Sequence, residues 1–294
     1  MNWLNDTTTV TVPTTDTTTT DTTTTKVIVP TIPSAKKVAV CFGINNYPGT
    51  NNDLKGCIND AKGWEDILKN KYGYNVNHFY DTFATTHNFV EHIENLLADS
   101  KQGTHVVVTY SGHGTNVRDN NSDEADGRDE ALCLFDRVFI DDEVRNLFKK
   151  LHPEARLTFI SDSCHSGTVT RAFLAGTGND VYSKPRYLPP EDDDEAFSIR
   201  PSAIKSRAND LSQEGMDEVL ITGCLPKEFS YDARLGGDYY GAMTFNALEI
   251  LNKTPNITYE AFYSKLRKKL PSNSYRQTPQ LEGSARNKQT LIFS

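Results

Sequence analysis

Two apolar runs, VVVTYSGHGT (residues 106–115) and FISDSCHSGT (residues 159–168), constrain this chain more than any other feature. Each reads as a β-strand that halts at a turn of small residues. Each leaves a reactive side chain at the halt, His113 in one and Cys164 in the other. The surrounding pattern alternates. KKVAVCFGINNY reads as a buried strand and CINDAKGWEDILKNKYG as a helix closed by Lys, Tyr and Gly. NVNHFYD then reads as a strand, THNFVEHIENLLADS as a helix and THVVVTYSGHG as the third strand. An acidic loop over residues 118–130 leads to IDDEVRNLFKKL, a helix with Asp141, Asp142 and Glu143 in the first turn, where the dipole favours them. ARLTFISDSC is the fourth strand, DEVLITGC a fifth, GAMTFNALEILN and TYEAFYSKLRKKL are helices, and QTPQLEG is a short last strand. Strands alternating with helices predict an α/β fold with a mostly parallel sheet covered on both faces.

Two stretches break the alternation. Residues 7–25 are almost only Thr and Asp and cannot bury enough apolar surface to offset chain entropy. Residues 1–35 are therefore expected to be a disordered arm, the alternative being an exposed β-prone one. The stretch containing SKPRYLPPEDDDEAFSIRPS is rich in Pro and charge and long for an internal connection. The expected organisation is a larger part over 36–170, a flexible linker over 171–215, and a smaller part over 216–294 within the same structural domain.

Composition excludes some functions. A net charge of −8 over 294 residues argues against a nucleic-acid-binding surface. No apolar run approaches the ~18 residues of a membrane span, and the start lacks a basic-then-apolar secretory signal. The five cysteines, Cys41, Cys57, Cys133, Cys164 and Cys224, are scattered without C-x-x-C spacing. They read as reduced thiols of a cytoplasmic protein.

In open parallel sheets, sites form beyond the C-terminal strand ends, and neighbouring strands lie about 4.8 Å apart. Cys164 and His113 are thus expected to face each other across a crevice, the imidazole serving as base for the thiol. His165 follows Cys164 directly and points to the opposite face, which suits a capping or packing residue. Gly112, Gly114 and Gly167 let the backbone turn and approach a substrate, unless they only make turns. An N–H near Gly114 with that of Cys164 would form an oxyanion hole. Asp162 shares the face of Cys164. It reads as the floor of an anionic pocket for a basic side chain, or as a carboxylate that orients His113 or is held by backbone N–H groups. Asp60, at the start of the first helix, also reads as a plain helix-end acid, and Asp232 carries little alone.

In order along the chain, LKGCINDA, YSGHGT, DGRDEALCLFD, IDDE, DSCHSGT and LITGC…SYDA…YGAMT resemble the metacaspase and orthocaspase branch of the caspase-like cysteine peptidases. The likeness covers about residues 36–294. It implies the caspase-hemoglobinase fold, a three-layer α/β/α sandwich whose central sheet has about six or more strands, with p20-like and p10-like parts. It implies His113 as base and Cys164 as nucleophile. It also implies a pocket lined by Asp60 and Asp162, with Cys57, Ser111 and Asp232 nearby, that selects Arg or Lys at the cleavage position of a protein or peptide substrate. It implies self-processing, for which Lys184, Arg186, Arg200, Lys205 and Arg207 in the linker are candidates, and a monomer. No cofactor is required for the chemistry. Calcium enters as an activator, through acids at Asp129, Asp141 and Asp142. Seven residues beyond Cys164, where the family has a further ligand, this chain has Arg171, which cannot coordinate calcium. DNNSDEADGRDE has the outline of an EF-hand loop through Asp119, Asn121, Asp123 and Glu130, but Glu124 stands where the sharp turn needs Gly. The competing functions are a non-catalytic scaffold of the same fold and a metal-dependent hydrolase. The latter lacks spaced ligands around Cys164.

Overall fold

Side-chain parity along the central strands decides the layering. On β1 (Lys37–Gly43), Val38, Val40 and Phe42 enter one core while Ala39 and Cys41 enter another. Val106, Val108 and Tyr110 of the strand His105–Ser111 join the first core, and Val107 the second. Leu157 and Phe159 of the strand Arg156–Asp162 join the first, and Ile160 the second. Strands buried on both faces are the mark of a sheet sandwiched between helices. The computed structural model that shows this describes residues 36–118, 128–164, 183–189 and 218–294. The Thr-rich arm, the loop 119–127, His165, Gly167, Arg171, Arg200, Lys205 and Arg207 lie outside the described residues.

In chain order the central strands are β1, β2 (Asn75–Tyr80), β3 (His105–Ser111), β7 (Arg156–Asp162), β9 (Glu218–Thr222) and β12 (Gln280–Glu282). They form one sheet in the order β12-β9-β7-β3-β1-β2. All neighbours run parallel except β12, which closes the edge antiparallel to β9. Helices α2 (Thr86–Ala98) and α3 (Asp141–Phe148) cover the first core through Phe89, Ile93, Leu97, Val144, Leu147 and Phe148. Helices α1 (Cys57–Tyr72), α4 (Ala242–Lys253) and α5 (Tyr259–Leu266) cover the second with Trp64, Leu68, Met243, Leu251, Phe262 and Leu266 among others. A last short helix, α6 (Ala285–Lys288), follows β12. The α/β/α sandwich with a mostly parallel six-stranded sheet is the fold the sequence predicts.

Two small antiparallel sheets are additional. One joins β4 (Gly114–Arg118), β5 (Arg128–Cys133) and β6 (Val138–Ile140). The stretch read as an acidic loop thus begins and ends in paired strands, with Val117 opposite Asp129. The other joins β8 (Ser183–Pro185), β10 (Tyr231–Leu235) and β11 (Asp238–Gly241). β8 lies inside the stretch read as linker.

Candidate active site

The last register pair between β3 and β7 is Ser111 with Asp162. His113 and Cys164 each follow two residues later, so the parallel pairing brings both to the same end of two adjacent strands. Both are buried. His113 Nε2 lies 2.6 Å from the main-chain oxygen of Asn52. A carbonyl only accepts, so Nε2 carries the proton and Nδ1 keeps its lone pair. Nδ1 is buried without a hydrogen-bond partner among the described residues. Tyr47 fixes the turn: its hydroxyl accepts from the His113 N–H at 2.8 Å and its ring packs on the imidazole. Burial pushes His113 down to about 4, against the pull of the Asn52 carbonyl and the Arg186 backbone and with help from the cations Lys184 and Arg186. The imidazole is therefore neutral at ordinary pH. The Cys164 sulfur accepts from the Ser230 N–H at 2.6 Å and donates to the Ser230 carbonyl at 3.2 Å.

A segment of the chain itself fills the crevice. The Arg186 carbonyl accepts from the N–H of Gly114 at 3.0 Å and from that of Cys164 at 3.2 Å. These are the two donors expected to hold an oxyanion. The Arg186 N–H donates to Ser230 O at 2.9 Å, and β8 pairs antiparallel with β10, Pro185 opposite Tyr231. Beyond Arg186, Tyr187 bridges in parallel to Gly114, and the Leu188 N–H donates to Gly114 O at 2.9 Å. Residues 183–189 thus cross the strand ends extended, with main-chain bonds on both sides of Arg186.

The Arg186 side chain is fully buried among acids. Its Nη2 lies 2.7 Å from Asp60 Oδ2 and 3.0 Å from Asp232 Oδ1, and its Nη1 lies 3.6 Å from Asp162 Oδ2. Nη1 also donates to the Asp162 carbonyl at 3.0 Å. The carboxylates are held from behind. Asp60, in the first turn of α1, accepts the Gly241 N–H. Asp162 accepts the N–H of Thr244, at the start of α4, at 2.9 Å, the Thr244 hydroxyl at 2.7 Å and the Ser230 hydroxyl. Asp232 accepts the N–H groups of Lys55 and Gly56 at 2.8 and 2.9 Å. Burial raises Asp60 to about 7, with Asp162 adding to it, and outweighs the pull of Arg186. Gly241 has to be glycine here, since a Cβ would lie 2.5 Å from Arg186 Nη1 and collide with Asp162.

Asp162 is held by one backbone N–H and two hydroxyls and lies 3.6 Å from Arg186 Nη1. It does not orient His113, which Asn52 does. Cys57, at the start of α1, is buried beside the cluster; burial raises its thiol, Arg186 opposes this and the three acids add to it. Ser111 is buried in register with Asp162, but among the described residues no hydrogen bond of the Arg186 guanidinium goes to it. Asp141 and Asp142 pair with Arg145 at 2.8 and 3.7 Å, while Asp129 sits on β5 opposite Val117. Among the described residues no group of three His, Cys, Asp or Glu side chains stands together to hold a metal ion. Asn52, Tyr47, Ser230 and Thr244 escape the sequence reading because each acts through a main-chain atom or a hydroxyl, which no spacing rule marks.

The family model described as Caspase domain matches residues 36–290, and the chain belongs to that family. Its curated relatives include metacaspase-1 from Scheffersomyces stipitis, 28% identical over 286 residues that cover 84% of this chain and 70% of the relative. Metacaspase-1 from Debaryomyces hansenii is 29% identical over 302 residues, covering 88% and 67%. A crystal structure of a protein from Geobacter sulfurreducens superposes with a TM-score of 0.69 at 25% identity, over 88% of this chain and 98% of that one. Caspase-1 from Spodoptera frugiperda shares the fold, with a TM-score of 0.56 at 12% identity, over 85% and 89%. The chain is thus a metacaspase-like, cysteine-type peptidase, and its substrates are proteins. Among the described residues no helix is long and apolar enough to cross a membrane.

Proposed function

We propose that the protein is an arginine- or lysine-directed endopeptidase that uses a Cys164–His113 dyad, and that its first substrate is its own Arg186–Tyr187 bond. One observation carries this reading. An arginine of the chain lies with its side chain among Asp60, Asp162 and Asp232 and its carbonyl on the N–H groups of Gly114 and Cys164. That is the pose a scissile residue needs, with the reacting carbonyl polarised and the cation neutralised in a buried anionic pocket.

The chemistry follows from the proton positions. His113 Nδ1 takes the Cys164 proton while Nε2–H stays on Asn52. The thiolate attacks the Arg186 carbonyl carbon, and the charge that develops on oxygen falls on the two N–H donors. The imidazolium returns its proton to the nitrogen of Tyr187, which leaves as a free amine. Water, deprotonated by His113, then releases the acyl group from sulfur. No step runs through a metal.

The test is hydrolysis of fluorogenic peptides ending in Arg, Lys or Asp, by wild type and Cys164→Ala. Turnover of the Arg and Lys peptides by wild type alone is expected. Equal rates for both proteins, or preference for Asp, would overturn the reading, and a folded but inert wild type would favour the scaffold. Repeating the assay with calcium and with chelator tests the activator expectation.

A further inference from the structure

The segment crossing the crevice continues past the scissile bond, and the residue that follows Arg186 is buried as well. Tyr187 is buried, and its ring lies 6.0 Å from that of Phe229. It belongs to a cluster with Cys164, Cys224, Phe229 and Tyr231, against which Tyr275 also packs. Its buried members belong to neither of the two cores, and Tyr275 packs on both this cluster and the second core. Apart from Tyr187 itself, its buried members come from β10 and from the turns after β7 and β9. The main chain is fixed as well. Tyr187 bridges to Gly114, and Leu188 donates to the Gly114 carbonyl and packs on the first core. A leaving side held by main-chain pairing, with its first side chain in an apolar aromatic cluster, is a second specificity pocket.

Resting on the reading above, we infer that Phe229, with Cys224 and Tyr231, forms a leaving-side subsite that selects an aromatic residue immediately after the scissile arginine. The enzyme then recognises an arginine–aromatic pair rather than an arginine alone. Transfer of a large ring from water into such a pocket discriminates against a small side chain by a factor of about ten or more.

The experiment uses the full chain, incubated until its own cut is complete, on two internally quenched peptides. One is Ser-Lys-Pro-Arg-Tyr-Leu-Pro, and the other carries Ala in place of Tyr. The expected kcat/KM ratio, Tyr over Ala, is about tenfold in wild type and falls towards one in Phe229→Ala. Because the ratio is taken within one preparation, loss of folded protein cancels. Should Phe229→Ala fail to fold, the wild-type ratio stands alone, joined by the self-cutting rate of Tyr187→Ala, expected to be about tenfold slower. Equal wild-type rates on the two peptides, with cleavage after Arg in both, would overturn the subsite while leaving the arginine reading intact. Cleavage of neither peptide, with a fluorogenic arginine amide also untouched, would overturn both.

Discussion

His113 shows how a single carbonyl sets the direction of a proton. The Asn52 carbonyl accepts a hydrogen bond from Nε2–H, so Nδ1, which has no partner among the described residues, is the ring nitrogen able to act as base. A base works only unprotonated, so activity is present above its pKa and lost as pH falls through it. With residues 183–189 in the crevice that pKa is about 4. The acid limb of self-cutting should therefore lie near 4. Clearing the segment removes Lys184, Arg186 and part of the burial, so the pKa climbs back towards its ordinary 6.5. The acid limb of kcat/KM on added peptides should sit at higher pH than that of self-cutting, and coincident limbs would contradict this. His113 and Cys164 were legible because each ends an apolar run. Asn52 was not, because its contribution is a backbone oxygen.

At the scale of elements, the pocket is built where β7, α1, α4 and the β10–β11 hairpin converge, and close approach there depends on Gly241. Its N–H caps Asp60 while its missing side chain leaves room for the guanidinium. Gly241→Ala should lower kcat/KM on arginine peptides by about 100-fold, since misplacement by about an ångström costs that much. Thermal unfolding should still show a single cooperative transition. Unchanged kcat/KM would mean arginine binds elsewhere. The central strands and large helices were readable because burial on both faces and helical spacing leave strong periodic signals. The hairpins escaped for the opposite reason. Asp129 and Glu130 on β5, and Lys184 and Pro185 on β8, are residues that strands disfavour, and they pair because neighbouring strand ends offer them donors and acceptors.

Seen whole, the molecule is closed on its own arginine, and the energetics of that closure depend on pH. The measurement belongs in the Cys164→Ala background, which the proposed mechanism predicts will leave the chain whole. Replacing Arg186 with Gln leaves three buried carboxylates without their cation, a cost of up to about 3–5 kcal/mol at neutral or alkaline pH. Asp60 is already raised to about 7 with Arg186 present, and loss of the cation raises it further. A carboxyl whose folded-state pKa is raised adds stability at low pH that is lost as pH rises through that value. The drop in Tm caused by Arg186→Gln should thus be large at pH 8 and much smaller at pH 5.5. An equal drop at both would show that the acids do not sense the guanidinium.

The most direct measurement is the N-terminal sequence and mass of the fragments that the wild-type chain produces on incubation. A cut between Arg186 and Tyr187, giving a fragment that begins Tyr-Leu-Pro-Pro and absent from Cys164→Ala and His113→Ala, is the predicted result. Fragments that form equally in Cys164→Ala, or a first cut elsewhere while the Arg186–Tyr187 bond stays intact, would contradict it.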